Sequence, residues 1–211
     1  MENVLEKIEQ IGIVPVVKIK DENKAVPLCN ALLDGGINVI EVTFRTLQAE
    51  NAIKQIAKNC PKMIVGAGTI LNVDQAKIAI NAGAKFIVCP GYSSDIVKYC
   101  QGQNVTVIPG CVTPTEIMQA INDGLSVVKF FPAKEFGGLA TIKALSAPFG
   151  GLKFMPTGGI NLDNLKEFLS NKCIVACGGT YMVKENLIDE ENYEEITKLS
   201  KLSTDIVKEV R

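Results

Sequence analysis

Eight short runs rich in β-branched and aromatic residues recur along the chain, roughly 20 to 25 residues apart, and this regular spacing constrains the fold more than any other feature. Turn or polar residues and then a helix-like spacing of apolar residues follow all but the last run. Strands that alternate with helices predict an α/β fold with a parallel sheet. The predicted strands are residues 13–17, 39–44, 63–65, 86–89, 105–108, 127–131, 152–155 and 174–177.

Eight strands joined by helices can form a closed (β/α)8 barrel, the TIM barrel, or an open doubly wound sheet. The even spacing, the count of eight and the absence of a G-x-G-x-x-G sequence after the first strand favour the barrel. Apolar spacing predicts an N-terminal helix within residues 1–12, at the bottom of the barrel, and a last amphipathic helix within residues 191–211. No linker or low-complexity segment divides the chain, so residues 1–211 are expected to form a single domain.

Composition limits the environment and the partners of such a fold. A hydrophobic content of 47% suits a parallel sheet covered on both faces. No apolar run reaches the ~18 residues needed to span a bilayer, and the first three residues lack the basic start of a signal peptide, so we expect a cytoplasmic protein without a membrane partner. The net charge of −1, with acids and bases interspersed, predicts no nucleic-acid partner. Seven cysteines without a C-x-x-C pair predict reduced, buried thiols.

Histidine is absent from the sequence, which excludes several kinds of chemistry. Neither a Ser-His nor a Cys-His nucleophile system can form, and the commonest zinc ligand is missing. Proton transfer is left to Glu, Asp, Lys and Tyr. We therefore expect no metal site.

A lysine lies in the middle of the sixth predicted strand, in the apolar sequence VVKFFP at residues 127–132. An apolar interior favours the neutral amine over the ammonium ion. A neutral Lys129 can add to a carbonyl carbon and, with loss of water, form a Schiff base that accepts electrons from a breaking bond. The alternatives are a lysine that protects an edge strand or one whose side chain extends to the solvent.

The second predicted strand reads VIEVTFR at residues 39–45, and its period of two places Glu41, Thr43 and Arg45 on one face. Glu41 can meet Lys129 across the barrel and act as a general acid and base, or form a structural ion pair with Arg45 or Lys18. Arg45, at the strand end, can bind a substrate carboxylate with two hydrogen bonds or form a salt bridge at the rim. Lys18 ends the first strand, where it can add a second positive charge near an anionic substrate or remain solvated.

Small residues follow three of the predicted strands. The sequence GAGT at residues 66–69 allows a ligand to approach the backbone, and Thr69 offers a hydroxyl group. Glycine-rich loops after the seventh and eighth strands are where such barrels hold phosphate, so a phosphorylated substrate is expected. Plain loop geometry is the alternative explanation. The predicted phosphate-binding residues are Gly158, Gly159, Gly178, Gly179 and Thr180.

Five motifs taken together resemble those of the 2-keto-3-deoxy-6-phosphogluconate (KDPG) aldolase family, also called KDPG and 4-hydroxy-2-oxoglutarate (KHG) aldolases. They are EVTFRT at residues 41–46, GAGT at 66–69, CPG at 89–91, VKFFPA at 128–133 and PTGGI at 156–160. The order of the motifs is that of the family, and the resemblance extends from about residue 12 to residue 187.

The resemblance implies a class I aldolase, which needs no metal or other cofactor, in a (β/α)8 barrel that usually forms a homotrimer. Lys129 resembles the Schiff-base lysine and Glu41 the carboxylate that transfers protons. The family cleaves KDPG to pyruvate and glyceraldehyde 3-phosphate, and often KHG to pyruvate and glyoxylate. One departure is Thr180, where the family frequently has Ser, and it keeps the hydroxyl group. The residues similar to those that line the pyruvyl and carboxylate part of the site are Arg45, Thr69, Pro90, Phe131 and Thr157.

Three other functions stay open from the sequence. One is the same cleavage of the epimeric substrate 2-keto-3-deoxy-6-phosphogalactonate, which differs at one stereocentre. Another is an isomerase or a transferase similar to thiamine-phosphate synthase, in which Lys129 acts only through its charge. The third is a sugar-phosphate-binding protein without catalysis.

Overall fold

Eight parallel strands alternate with helices in the computed structural model, which describes residues 4–211. The predicted α/β class is confirmed. Most strand residues are fully buried, as expected for a sheet covered by helices. The strands are β1 (Ile13–Val17), β2 (Val39–Thr43), β3 (Ile64–Gly68), β4 (Phe86–Val88), β5 (Thr106–Ile108), β6 (Val127–Phe130), β7 (Lys153–Pro156) and β8 (Cys177–Gly179).

The strands form two groups with parallel pairing throughout. Six of them make one sheet in the order β5-β4-β3-β2-β1-β8, and β6 pairs with β7 in a second ladder. Single bridges connect the two groups on both sides: Gly110 pairs with Lys129, Thr157 with Gly178 and Phe154 with Ile174. The carboxyl ends of parallel strands therefore lie at one edge, where loop residues can meet.

Ten α-helices accompany the strands in the described part of the chain. Side-chain oxygens of Asn72, Ser93 and Thr113 accept backbone hydrogen bonds at helix starts, which satisfies N–H groups of the first turn. The apolar spacing of the sequence predicts five helices at residues 25–33, 50–58, 73–82, 94–101 and 114–123, and the structure agrees to within one residue at each end. The helices are α1 (Val4–Ile11), α2 (Ala25–Asp34), α3 (Ala49–Asn59), α4 (Val73–Asn81), α5 (Ser94–Gly102), α6 (Pro114–Asn122), α7 (Gly138–Ser146), α8 (Leu162–Leu169), α9 (Glu185–Asp189) and α10 (Tyr193–Val210).

Both terminal helices are present where the sequence predicts them. Helix α1 buries Ile8 and pairs Glu9 with Lys153 at the start of β7; residues 1–3 of the predicted segment lie outside the described residues. Helix α10 packs on α2, where a Cβ added to Gly35 would lie 2.3 Å from the Cβ of Ser200. The two helices can therefore approach this closely only because residue 35 is a glycine and has no Cβ.

Two strands differ from their predicted positions, and glycines are the reason. Gly66 and Gly68 lie within β3, not in a turn after it, and Gly178 and Gly179 lie within β8. Residues 174–177 were predicted as the eighth strand, but Ile174 forms only a single bridge and the ladder begins at Cys177. Glycine has low β-propensity, so the pattern of residue types hid these extensions.

All seven cysteines are free thiols, and six of them are buried. This agrees with the predicted reduced state. Burial raises the pKa of the Cys89 and Cys111 thiols to about 12, since a thiolate is poorly solvated in the core. Within residues 4–211, none of the helices combines the length and the apolar character that a membrane span requires.

Candidate active site

Lys129 lies in β6 and is held by neighbours on both sides. Its N–H donates to the carbonyl of Pro109 at 2.8 Å and its carbonyl accepts from the N–H of Cys111 at 2.9 Å, while the β7 register places it beside Met155. Its side chain is 7% exposed. This position differs from both alternatives given by the sequence. The strand has neighbours on both sides, and the lysine side chain is almost completely buried.

Glu41 faces Lys129, as the sequence predicts. Its carboxylate is fully buried, and Oε1 lies 3.5 Å from Nζ of Lys129. Neither carboxylate oxygen accepts a hydrogen bond from any residue within 4–211. Buried carboxylates are usually well hydrogen-bonded, so this group retains free acceptors for a substrate or for water.

Gly68 of β3 makes the room that the Glu41 carboxylate occupies. In the sheet, Glu41 is paired with Val16 of β1 on one side and with Gly66 of β3 on the other. A Cβ added to Gly68 would lie 1.9 Å from Oε1 of Glu41. The glycine therefore positions the carboxylate towards Lys129.

An aromatic ring completes the surroundings of the amine. Nζ of Lys129 lies 5.2 Å from the centroid of the half-buried Phe131 ring, within the range of a cation–π contact. Thr157, which follows β7, is 4% exposed, and its hydroxyl has no hydrogen-bond partner among the described residues. Pro90, after β4, is exposed, and its carbonyl packs against Gly110.

A cleft of about 310 Å³ opens at the carboxyl ends of β1, β2 and β8. Arg45 lines it, and its Nε donates a hydrogen bond to the hydroxyl of Thr69 at 3.3 Å. Lys18 and Thr180 line it as well, so three residues predicted for the site meet here, and Thr69 contacts them through Arg45. The full lining is Val16, Val17, Lys18, Thr43, Arg45, Thr180, Val183, Lys184 and Glu185.

The five residues predicted to bind phosphate lie at two neighbouring strand ends, since Thr157 pairs with Gly178. Gly158 and Gly159 line a different cleft, of about 520 Å³, beside Lys134 and the start of α7. A Cβ added to Gly178 would lie 2.3 Å from Oγ1 of Thr157, so this buried strand glycine permits close packing. Only Thr180 of the five lines the cleft with Arg45.

Lys184 and Glu185 also line the cleft, although no motif in the sequence marks them as site residues. They follow Thr180 by only four and five positions, and this pair of opposite charges directly after the last strand was the available signal. No group of three or more Cys, Asp or Glu side chains suited to a metal ion occurs in the part of the chain that the structure describes.

A parallel α/β fold with this buried amine and carboxylate is that of an aldolase, an enzyme of the lyase class. The family model described as "KDPG and KHG aldolase" matches residues 4–199. The chain therefore belongs to the KDPG and KHG aldolase family.

Individual relatives agree with this assignment over nearly their full lengths. The 2-dehydro-3-deoxy-phosphogluconate aldolase of Treponema pallidum (strain Nichols) is 44% identical over 207 residues, which covers 98% of this chain and 99% of the relative. The KHG/KDPG aldolase of Escherichia coli (strain K12) is 40% identical, covering 90% of this chain and 89% of the relative. The crystal structure of KDPG aldolase from Legionella pneumophila, with pyruvate captured at low pH as a covalent carbinolamine intermediate, has a TM-score of 0.91 at 35% identity, covering 95% and 98% of the two chains.

Proposed function

We propose that this protein is a class I aldolase that cleaves KDPG to pyruvate and glyceraldehyde 3-phosphate through a Schiff base on Lys129. The observation that carries the proposal is the buried pair of Lys129 and Glu41, whose carboxylate keeps its acceptors free. The names of the relatives support the substrate, and the carbinolamine in the Legionella pneumophila enzyme supports covalent chemistry.

The first requirement is a neutral amine. Two charges 3.5 Å apart in a buried site can relax by transfer of one proton from the ammonium group to the carboxylate. This transfer produces the two species that the first step needs: Lys129 becomes a nucleophile and Glu41 becomes a general acid.

Formation of the Schiff base follows from this arrangement. Lys129 attacks C2 of the keto acid, and the carbonyl oxygen receives a proton from Glu41, directly or through a water molecule. Arg45 and the hydroxyl group of Thr69 hold the C1 carboxylate with charge-assisted hydrogen bonds. Loss of water from the carbinolamine gives the protonated imine.

Carbon–carbon cleavage uses the same pair. Glu41, again a carboxylate, takes the proton of the C4 hydroxyl, the C3–C4 bond breaks, and its electrons pass to the iminium nitrogen to form an enamine. Glyceraldehyde 3-phosphate leaves. Protonation of the enamine at C3 and hydrolysis of the imine release pyruvate and restore the amine.

A direct test traps the imine. The protein is incubated with pyruvate and borohydride, and the modified peptide is mapped by mass spectrometry. We expect a stable pyruvyl adduct on the peptide that contains Lys129, formed equally well with a chelator present. Lys129→Met should lose both the adduct and pyruvate release.

The variant Glu41→Gln separates binding from proton transfer. It should slow turnover by about 10²–10⁴-fold, the usual contribution of general acid–base catalysis. If the wild-type protein binds sugar phosphates but forms no adduct with pyruvate, the result would favour a binding protein or an enzyme in which Lys129 acts only through its charge. Comparing kcat/KM for KDPG and its galactonate epimer distinguishes the two aldolase activities.

A second substrate is proposed on the name of the family, which joins KDPG and KHG aldolases. The protein should also cleave KHG to pyruvate and glyoxylate, because Lys129, Glu41 and Arg45 act on the part that both substrates share. A coupled assay for pyruvate measures this activity, and no release above that of Lys129→Met would contradict it.

The finer architecture is also part of the proposal. We infer that the eight strands close into a (β/α)8 barrel, supported by the single bridges on both sides of the β6–β7 ladder, and that residues 1–211 form a single domain with one cooperative unfolding transition. A homotrimer is proposed on the family resemblance alone, and a cytoplasmic location is proposed beside it. Light scattering should then give three times the mass of the chain, and a monomer would overturn the trimer.

A further inference from the structure

One acidic residue lies among three basic ones at the rim of the cleft. Lys18, Arg45 and Lys184 give the rim a positive field, which attracts an anionic substrate. Glu185 opposes this field from the same rim. An acid in such a position costs affinity for anions, so its contacts decide what it does.

The carboxylate of Glu185 bridges two lysines. Oε1 lies 3.3 Å from Nζ of Lys18, and Oε2 lies 2.6 Å from Nζ of Lys20. Hydrogen bonding from Lys20, and further from Lys18, lowers the pKa of the Glu185 carboxyl, so the group is an anion at neutral pH.

The two lysines differ in their other contacts. Lys20 also lies 3.4 Å from Asp189, so it keeps an acidic partner without Glu185. Within residues 4–211, Glu185 is the one acid within ion-pair distance of Lys18. Lys18 lines the cleft and Lys20 does not.

The ion pair of Lys18 and Glu185 can exchange readily. The two side chains are 37% and 45% exposed, and pairs with such access to water are weak. Lys18 follows β1 and Glu185 begins α9, after the adjacent strand β8, so either side chain can turn away without disturbing a strand. A phosphate group carries more charge and more acceptors than a carboxylate and can displace it.

We propose that Glu185 is a specificity-determining residue, which holds Lys18 in the free protein and yields it to the phosphate group of the bound substrate. This inference rests on the proposed function, because it concerns the far end of the same substrate. It assigns the preference for a phosphorylated substrate to Lys18, and it makes Glu185 the competitor that weakens this preference.

The test compares KDPG with the same keto acid lacking its phosphate. Glu185→Gln, which is isosteric, should lower KM for KDPG about two- to fivefold, the range of an exposed ion pair, and leave KM for the unphosphorylated acid unchanged. Lys18→Met should raise KM for KDPG roughly tenfold, and in that background Glu185→Gln should have no further effect. Lys208→Met is the control, since it removes an exposed lysine that pairs with an acid outside the cleft, and the ratio of the two KM values should not change.

A second measurement does not depend on catalysis. Calorimetric titration with inorganic phosphate should give tighter binding to Glu185→Gln and weaker binding to Lys18→Met than to the wild type. Unchanged phosphate affinity and an unchanged KM ratio in Glu185→Gln would overturn the proposal. Equal effects of Lys208→Met and Lys18→Met would overturn it as well. If the wild type releases no pyruvate, the aldolase function fails, while the phosphate titrations still decide the role of Glu185.

Discussion

Single residues set the geometry of the site, and Gly68 is the clearest case. The Glu41 carboxylate occupies the space where a side chain at position 68 would begin. The sequence indicated that Glu41 and Lys129 would face each other, because a period of two gives the orientation of each strand residue. The GAGT run that contains Gly68 was predicted to let a ligand approach, but its contact with Glu41 was not predictable, because close contacts between strands depend on distances that residue types do not encode.

We expect Gly68→Ala to reduce kcat strongly with little loss of stability. The new methyl group displaces the flexible end of Glu41, and a shift of about 1 Å in a catalytic group can cost roughly 100-fold in rate. Steady-state kinetics and thermal unfolding measure the two effects. Gly150→Ala, whose added Cβ meets nothing within 4 Å, is the control and should match the wild type. Equal kcat in both variants would contradict the positioning role.

At the scale of elements, the contact between α2 and α10 depends on one small residue. Ser200 lies against Gly35, and the hydroxyl of Thr204 donates to the Gly35 carbonyl at 3.1 Å. Apolar spacing was enough to predict both helices. Which faces meet was not predictable, since several faces of similar composition compete for the same sheet.

Gly35→Ala should lower the free energy of unfolding by about 1–3 kcal/mol, the usual cost of overpacking. The backbone of Gly35 is not left-handed, so the cost is steric. Urea unfolding measures it. Gly102→Ala, in the exposed last turn of α5 with no neighbour within 4 Å of the new Cβ, should be neutral or slightly stabilising. If Gly35→Ala and Gly102→Ala lost similar amounts of the free energy of unfolding, the explanation by helix packing would be wrong.

The hydrogen bonds of Glu116 at the start of α6 predict that the free energy of unfolding depends on pH. Burial raises the pKa of Glu116, but hydrogen bonds from the Val112 N–H and from the hydroxyl and N–H of Thr113 outweigh it, so the pKa lies below its ordinary value of 4.5. Because the pKa of Glu116 is lower in the native state, the ionised carboxylate stabilises the protein at pH values above its ordinary pKa of 4.5. This stabilisation is lost as the pH falls through the pKa of the native state.

We therefore expect the free energy of unfolding to fall between pH 6 and pH 3, and part of this fall to disappear in Glu116→Gln. Urea unfolding at both pH values measures it. The same substitution at Glu135, an exposed residue, is the control and should leave the pH dependence unchanged. An identical fall in Glu116→Gln and the wild type would contradict the prediction.

At the scale of the whole molecule, the core contains six buried thiols whose pKa is raised by burial. The pKa reaches about 11 for Cys100 and about 12 for Cys89 and Cys111, from an ordinary value of 9.0. In the unfolded chain the thiols ionise from about pH 9 upwards, whereas in the native protein they stay neutral. The free energy of unfolding therefore falls as the pH rises from the unfolded-state pKa to the native-state pKa. The other three thiols are Cys29, Cys60 and Cys177.

The free energy of unfolding should thus be lower at pH 10 than at pH 8, by roughly 1 kcal/mol for each such thiol. Urea unfolding under reducing conditions measures the difference. Cys100→Ala removes one ionising group, so its difference between the two pH values should be smaller than that of the wild type. An equal difference would show that thiol ionisation does not control this stability.

The order of elements was predictable at this scale, because alternating strands and helices follow from residue periodicity. The division into a six-stranded sheet and a two-stranded ladder was not, since it reflects the number of backbone hydrogen bonds between β5 and β6 and between β7 and β8, where single bridges form. The rim of the cleft escaped prediction for a related reason: Lys18 and Glu185 are 167 positions apart and meet only because β1 and β8 are neighbours.

The peptide groups on either side of the Lys129 side chain join the smaller ladder to the larger sheet, through the carbonyl of Pro109 and the N–H of Cys111. The attachment is made by the main chain, so any side chain without a clash at position 129 preserves it. Chemistry and architecture are thereby separable at this position. An inactive but fully folded variant, suitable for crystallising the uncleaved substrate, should need only a single exchange there.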